Sequence, residues 1–321
     1  HLQALRQMLC LLHYAYNDRT QHDIVIFTSE PIPTQNITDL QSIVAPTSLR
    51  VIVDNPGLHT MVRSMSSKSQ NDLLDRCGVT SRKIEDLTWY HKCTEIRTGG
   101  TLTERLAYTW QAEFRAVHLW THDVIQNYKY MLWIDADAYC TRRWNQDPIS
   151  TTARYDLKLF FDHFPQGSAR GREFPQLTQQ VFQKSICSVS LINGTLHAHE
   201  GRCKRGARIQ QVHGFLHVSN LDFFRSSQVM EWNYAMIRTG DKYQFSRLFD
   251  DQIGITIPAA ILAGNQSRDM KSMGVTLRVI HNYVLDGFMK DWRGYYVPWW
   301  DRNANTSFPQ ASDHCVVDIS G

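Results

Sequence analysis

The sequence predicts an α/β protein: a mostly parallel central sheet flanked by helices. Three observations predict it. Helical and extended patterns alternate along the chain, which places helices against the faces of a largely parallel sheet. The 321 residues, 42% of them hydrophobic, suffice for one large domain with a substantial core. The apolar run from Tyr128 to Ile134 ends abruptly in Asp135-Ala136-Asp137. A buried strand that delivers polar groups at its C-terminal end is how α/β sheets place their ligands.

The elements follow in order. Leu2 to Tyr16 reads as a helix, because Leu5, Leu9, Leu12 and Tyr16 recur on one side. Asp23 to Phe27 is a short buried strand, stopped by Pro31 and Pro33, and Ser48 to Val53 is a second, closed by Asn55-Pro56-Gly57. Residues 61 to 100 are polar and punctuated and read as irregular with short helices. Thr103 to Gln126 is a long helical stretch, with Leu106, Trp110, Phe114 and Val117 near one face. Tyr130 to Ile134 is the central strand and Leu157 to Phe161 another. Pro165 to Gly171 is expected to be a loop before a helix around Gln176 to Lys184. Residues 193 to 208, rich in Gly, His and Arg, read as an exposed insertion. Val212 to Val218 reads as a strand, Ser226 to Arg238 and Asp250 to Leu262 as helices, and Leu277 to Ile280 as a late strand. A nucleotide-binding α/β domain usually opens on a strand, whereas this chain opens on a helix. The first strand is therefore expected upstream of His1, with residues 1–321 forming one domain.

Composition excludes some functions. The 34 Lys and Arg nearly balance the 31 Asp and Glu, whereas a general nucleic-acid binder usually shows a basic excess. No apolar stretch approaches the roughly 18 residues needed to span a bilayer. Of the seven cysteines none form a CxxC pair, so a zinc ribbon is not expected. The segment His197-x-His199-x-x-x-Cys203 fits no standard zinc spacing and reads as a solvated loop. Sequons at Asn36, Asn193, Asn265 and Asn305, together with the cysteines, point to a secretory lumen. At least one disulfide is expected, with Cys77–Cys93 and Cys187–Cys203 the first candidates by short loop length, and the odd count leaves at least one thiol unpaired inside the chain.

In a strand, residues i and i+2 share a face, so Asp135 and Asp137 can aim at one cation. Hard oxygen donors suit Mg²⁺ or Mn²⁺ carrying a diphosphate. This is the Asp-x-Asp arrangement of metal-dependent, nucleotide-sugar glycosyltransferases. A strand-terminating turn is the plain alternative.

Several further segments extend the likeness along the chain. These are Ala4-Leu5-Arg6-Gln7, Asp23 to Phe27, the stretch from Tyr108 to Ile125, Asp147-Pro148, Asn220-Leu221-Asp222-Phe223-Phe224-Arg225-Ser226, Asp250-Asp251-Gln252 and Arg278-Val279-Ile280-His281. In order and rough spacing they resemble the fungal Golgi α-1,2-mannosyltransferase family, glycosyltransferase family 15, of GT-A fold. The sequence departs from that family in places. Asp-Ala-Asp stands for its Glu-Pro-Asp, the Pro-Pro after its C-terminal histidine is absent after His281, and His217 stands at or beside a glutamate discussed there as a nucleophile. The resemblance is that of a distant relative.

The resemblance implies a metal-dependent transfer of a sugar, probed first with GDP-mannose and then with UDP-sugars, to a glycan or glycoprotein acceptor, with retention at the anomeric centre. It implies a Golgi lumenal ectodomain whose membrane anchor lies outside this chain. Asp137 is the expected direct metal ligand, with Asp135 on the metal or the donor ribose and His281 as third ligand; a structural histidine is the alternative for His281. Tyr108 and Arg115 are expected at the diphosphate, with helix packing as the equal alternative. Asp251 or Asp250 is expected to face the acceptor, one of them capping a helix. His217 is the remaining catalytic candidate, with a core or acceptor-binding role as its alternative. Asp222 and Arg225 are expected to form a supporting ion pair. The competing functional class is a glycan-binding or scaffold protein on a GT-A fold that has lost catalysis.

Overall fold

The computed structural model describes residues 2–28, 31–53, 66–76, 111–140, 142–165, 168–171, 173–203, 206–238, 251–281, 283–285, 288–290, 296–298 and 315. Tyr108, Asp250 and the Cys77–Cys93 pair lie outside them.

The chain opens on helix α1 (Leu2–Leu12), which continues through a π-helical turn (His13–Asn17) to Thr20. Leu5, Leu9, Leu12 and Tyr16 are all buried, as their spacing requires. Strand β1 (Ile24–Thr28) pairs in parallel with β2 (Leu49–Val53) across helix α2 (Thr34–Val44). The sequence reading passed over α2, although Leu40 and Val44 bury one helical turn apart. Helix α3 (Ser67–Arg76) lies in the region expected to hold short helices.

The long helix expected from Thr103 to Gln126 is interrupted. Its described part turns π-helical over Phe114–His118 and then breaks, with a 3-10 turn at Asp123–Ile125 capped by His122. Strand β3 (Tyr130–Ile134) falls where the apolar run placed it, and the short β4 (Ala138–Cys140) follows the aspartate pair. Helix α4 (Pro148–Arg154) begins at Asp147, whose side chain accepts from the Ile149 N–H at 2.9 Å, with Pro148 at the first helical position. Next come β5 (Leu159–Phe161), β6 (Ser168–Gly171), helix α5 (Phe174–Phe182), β7 (Ile186–Ile192), β8 (Thr195–Glu200), β9 (Ala207–Gln210) and β10 (Leu216–Asn220). After a single turn (Leu221–Phe224), helices α6 (Ser227–Arg238) and α7 (Asp251–Pro258) complete the helical layer. Strands β11 (Ser267–Asp269), β12 (Val279–His281), β13 (Tyr283–Leu285), β14 (Phe288–Lys290) and β15 (Tyr296–Pro298) close the described chain. Among the described residues no helix is long and apolar enough to cross a membrane.

The α/β architecture stands: an eight-stranded sheet ordered β3-β10-β5-β11-β8-β7-β9-β6 with helices packed on it. The expected mostly parallel pairing does not. Within this sheet only β11–β5 and β7–β9 run parallel. Strand β10 lies antiparallel between β3 and β5, and an apolar run carries no information on its direction. The segment 193 to 208, expected as an exposed insertion, contributes strands to the sheet. Asn193-Gly194 is a two-residue turn joining β7 to β8, and β9 joins the same sheet. The loop expected at Pro165–Gly171 contains β6, paired with β9.

Alternation along the strands builds a core on each face. Phe160, Leu216 and Val218 pack with α1, whereas Leu159 and Phe161 pack with Trp120, Trp232 and α7. Arg225 clamps the entry to β3 by donating to the carbonyls of Trp120 at 2.8 Å and Ile125 at 2.5 Å. The expected ion pair forms, with Arg225 Nη1 3.8 Å from Asp222 Oδ1, but Asp222 is exposed, so the bonds to the carbonyls carry most of the clamp. Disulfides join Cys187 to Cys203, as loop length predicted, and Cys10 to Cys315; Cys140 is buried and free.

Gly194 sits at φ +75°, and a Cβ there would lie 2.2 Å from Ser272 Oγ and 2.3 Å from Ser272 Cβ. Gly194→Ala should cost about 2–3 kcal/mol in urea denaturation, from left-handed strain and the displaced 271–273 turn. A loss under about 0.5 kcal/mol would show that the hairpin tip does not need glycine.

Candidate metal centre

Because β3 and β5 both flank β10 antiparallel, their C-terminal ends emerge on the same sheet edge, beside the turn that feeds β10. Asp135 follows Ile134, and its N–H donates to the Phe215 carbonyl at 3.0 Å. The turn 135–137 leads into β4, and β4 pairs antiparallel with β12 in the register that sets His281 opposite Ala138. This one ladder carries His281 across 144 residues to the aspartates. Its Nε2 stands 3.1 Å from Asp137 Oδ1 and 3.4 Å from Asp135 Oδ2. One ligand atom from each of the three residues lies within 4.8 Å of the others.

Each of the three side chains is held differently. The His281 ring stacks on buried Phe215, with centroids 5.0 Å apart and planes 4° from parallel. His213 meets His281 edge-on at 5.4 Å. Trp133, on the same strand face as Asp135, donates its indole N–H to Asp135 Oδ1 at 2.6 Å. Asp137 has a side chain 52% exposed and points to the solvent side.

Behind the aspartates runs a buried charge network. Arg115, in the π-helical turn, places Nη1 2.9 Å from Asp251 Oδ2 and 3.6 Å from Asp135 Oδ1. It also donates to the Gly214 carbonyl and lies 4.5 Å over the Trp133 ring. Asp251 opens α7 and is 5% exposed. Its negative charge suits a helix N-terminus.

Burial disfavours the charged form of His281. The hydrogen bond to Asp137 and the charges of Asp137 and Asp135 outweigh it, against Arg115, so the histidine's pKa is raised. His213 and His217 go the other way. Burial, with nearby positive charge, depresses each to about 3. His217 is 2% exposed within β10, registered against Trp133 and Phe161. A hydrogen bond to the Gly214 backbone opposes part of its shift. Here it is a neutral core residue that supports the turn before β10.

The structure thus brings Asp135, Asp137, His281, Arg115 and Asp251 together. Trp133, Gly214, Phe215 and His213 were missed by the sequence reading. Trp133 alone had a local signal, the i, i+2 spacing to Asp135. The donor set of two carboxylates and an imidazole fits Mn²⁺, which accepts both ligand types.

The fold that carries this sheet edge, with its two-aspartate turn and distant histidine, is shared with solved fungal mannosyltransferases. Solved structures with this fold include core-mannan synthase A (CmsA/Ktr4) from Aspergillus fumigatus in its Mn/GDP form. It is 12% identical with a TM-score of 0.61, over 94% of this chain and 74% of that one. The mannosyltransferase Ktr4p from S. cerevisiae in complex with GDP is also 12% identical, with a TM-score of 0.61 over 95% and 71%. No known family profile and no curated protein sequence matches the chain.

Proposed function

We propose that this chain is a Mn²⁺-dependent glycosyltransferase using a nucleotide-diphosphate sugar, GDP-mannose being the first donor to try. The observation that carries the reading is the convergence of Asp135, Asp137 and His281 on the sheet edge of a fold shared with proteins solved with GDP and with Mn/GDP. Asp137 and His281 would hold the cation directly, with Asp135 on the cation or the donor ribose. When bound, the cation supplies Lewis-acid neutralisation of the leaving diphosphate. Asp137 faces solvent, where a donor can arrive. Asp251 and Asp250 are assigned to the acceptor side, orienting a hydroxyl of a glycan or glycoprotein. His217, at 2% exposure, is closed off from a donor and is not a carboxylate, so it does not replace the family glutamate. Retention would then proceed by front-side attack, the acceptor hydroxyl passing its proton to the departing phosphate. Tyr108 remains a candidate at the diphosphate.

The compartment we assign is the secretory lumen, the Golgi in particular, with a membrane anchor outside this chain. The disulfides Cys10–Cys315 and Cys187–Cys203 and the exposed sequon residues Asn193 and Asn265 support it. The deciding experiment is a hydrolysis and transfer screen of GDP- and UDP-sugars with Mn²⁺. Turnover of one donor names it. Binding of glycans without turnover of any donor would establish the scaffold reading instead.

The raised pKa of His281 gives a pH dependence. An imidazolium cannot ligate, so Mn²⁺ affinity should climb with pH through and above the usual histidine range near 6.5, then level. In the metal-free protein the linkage has the opposite sense. The imidazolium–carboxylate contribution is complete below the unfolded pKa and is lost as pH rises through the raised folded value. Isothermal titration with Mn²⁺ between about pH 5.5 and 8.5 reads the first; a flat profile removes His281 from the ligand set.

A further inference from the structure

Arg115 is 9% exposed, and a buried charge persists only when paired and hydrogen-bonded. Its partners are already in place without any ligand: Asp251 at 2.9 Å, Asp135 at 3.6 Å, the Gly214 carbonyl, and the Trp133 ring beneath the guanidinium. Trp133 in turn donates to the same Asp135 oxygen that faces Arg115. The backbone is shaped to this arrangement. A Cβ on Gly214 would lie 2.8 Å from Arg115 Nη2 and 2.9 Å from Asp251 Oδ2, so a side chain there would push the guanidinium or the carboxylate out of this arrangement.

We propose that Arg115 is a positioning residue and not a diphosphate ligand. It locks the metal-side carboxylate Asp135 and the acceptor-side carboxylate Asp251 into one rigid unit, closed by the Gly214 turn. The planar fork is what the role needs, since it serves two carboxylates and a carbonyl at once; a lysine ammonium offers charge without that geometry. This inference rests on the functional reading above for the roles of Asp135 and Asp251. The contact between Arg115 and Asp251 does not depend on it.

The test uses Mn²⁺ alone and GDP alone as probes. Arg115→Lys should weaken Mn²⁺ binding, measured without nucleotide by electron paramagnetic resonance, by about 10–100-fold, the range for losing a group that orients a metal ligand. GDP binding in EDTA should stay within about twofold. Gly214→Ala should weaken Mn²⁺ binding in the same direction with every charge intact. Arg115→Met should lower Tm by removing the guanidinium 2.9 Å from the buried Asp251 carboxylate, and Arg115→Met with Asp251→Asn should recover much of the loss. If Arg115→Met does not fold, the Lys and Ala variants still decide the matter. Unchanged Mn²⁺ affinity with collapsed GDP binding in Arg115→Lys would make it a diphosphate ligand and overturn the proposal. So would a Tm that Asp251→Asn fails to restore. A wild type that binds neither Mn²⁺ nor GDP would overturn the functional reading and the metal half of this inference. The Tm recovery would still report the Arg115–Asp251 coupling, so the two failures are distinct.

Discussion

Asp137→Ala should reduce Mn²⁺-dependent sugar-nucleotide turnover by at least about 10³-fold while leaving Tm within about 2 °C of wild type. The two halves follow from one position. Metal-ion catalysis is worth several kcal/mol, and each tenfold in rate is about 1.4 kcal/mol, so losing the direct ligand costs thousands-fold. The side chain itself is 52% exposed and touches only His281 at 3.1 Å among its described contacts, an interaction that solvent screens to little stability. Asp135→Ala differs, because Asp135 also takes the Trp133 indole bond and faces Arg115. It should lose activity and stability together. Steady-state rates with saturating Mn²⁺, paired with thermal denaturation, make the comparison. Near-normal turnover in Asp137→Ala would end its assignment as metal ligand.

Asp251→Asn should cut transfer to an acceptor by on the order of 10²–10⁴-fold if the carboxylate also takes a proton, and less if it only orients. Hydrolysis of the donor by water should fall far less. The amide keeps shape and can still accept from Arg115, but it gives up the charge that a buried guanidinium at 2.9 Å requires. A fall in Tm is therefore expected as well. The ratio of transfer to hydrolysis, measured in one reaction mixture, isolates the acceptor role from the stability change. Equal losses of both would place Asp251 with the donor or the fold.

Much of this arrangement is legible in the amino-acid sequence. The Tyr128–Ile134 run becomes β3 with the aspartates at its end, because an uninterrupted apolar stretch of strand length has one favourable place, between layers. The N-terminal helix shows through its buried leucines, and Cys187–Cys203 through its short loop. The interruption at Leu119–His122 is not legible: its residues fit a helix locally, but Trp120 is held by stacking on Phe224 at 4.5 Å, over a hundred positions away. Nor is the direction of β10, since antiparallel and parallel strands bury the same apolar residues.

Local patterning thus decided part of the secondary structure, β3 and the N-terminal helix among it, and that two carboxylates share one strand end; those are consequences of period and neighbour identity along a few residues. It could name His281, Arg115 and Asp251 as candidates only through resemblance, because nothing local ties them to Asp135. Tertiary structure decided their convergence. The β4–β12 register carries His281 in, and the Gly214 turn admits the guanidinium that bridges Asp135 and Asp251. A buried charge is tolerated only where its partners already stand, and for Arg115 those partners come from three separate stretches of chain.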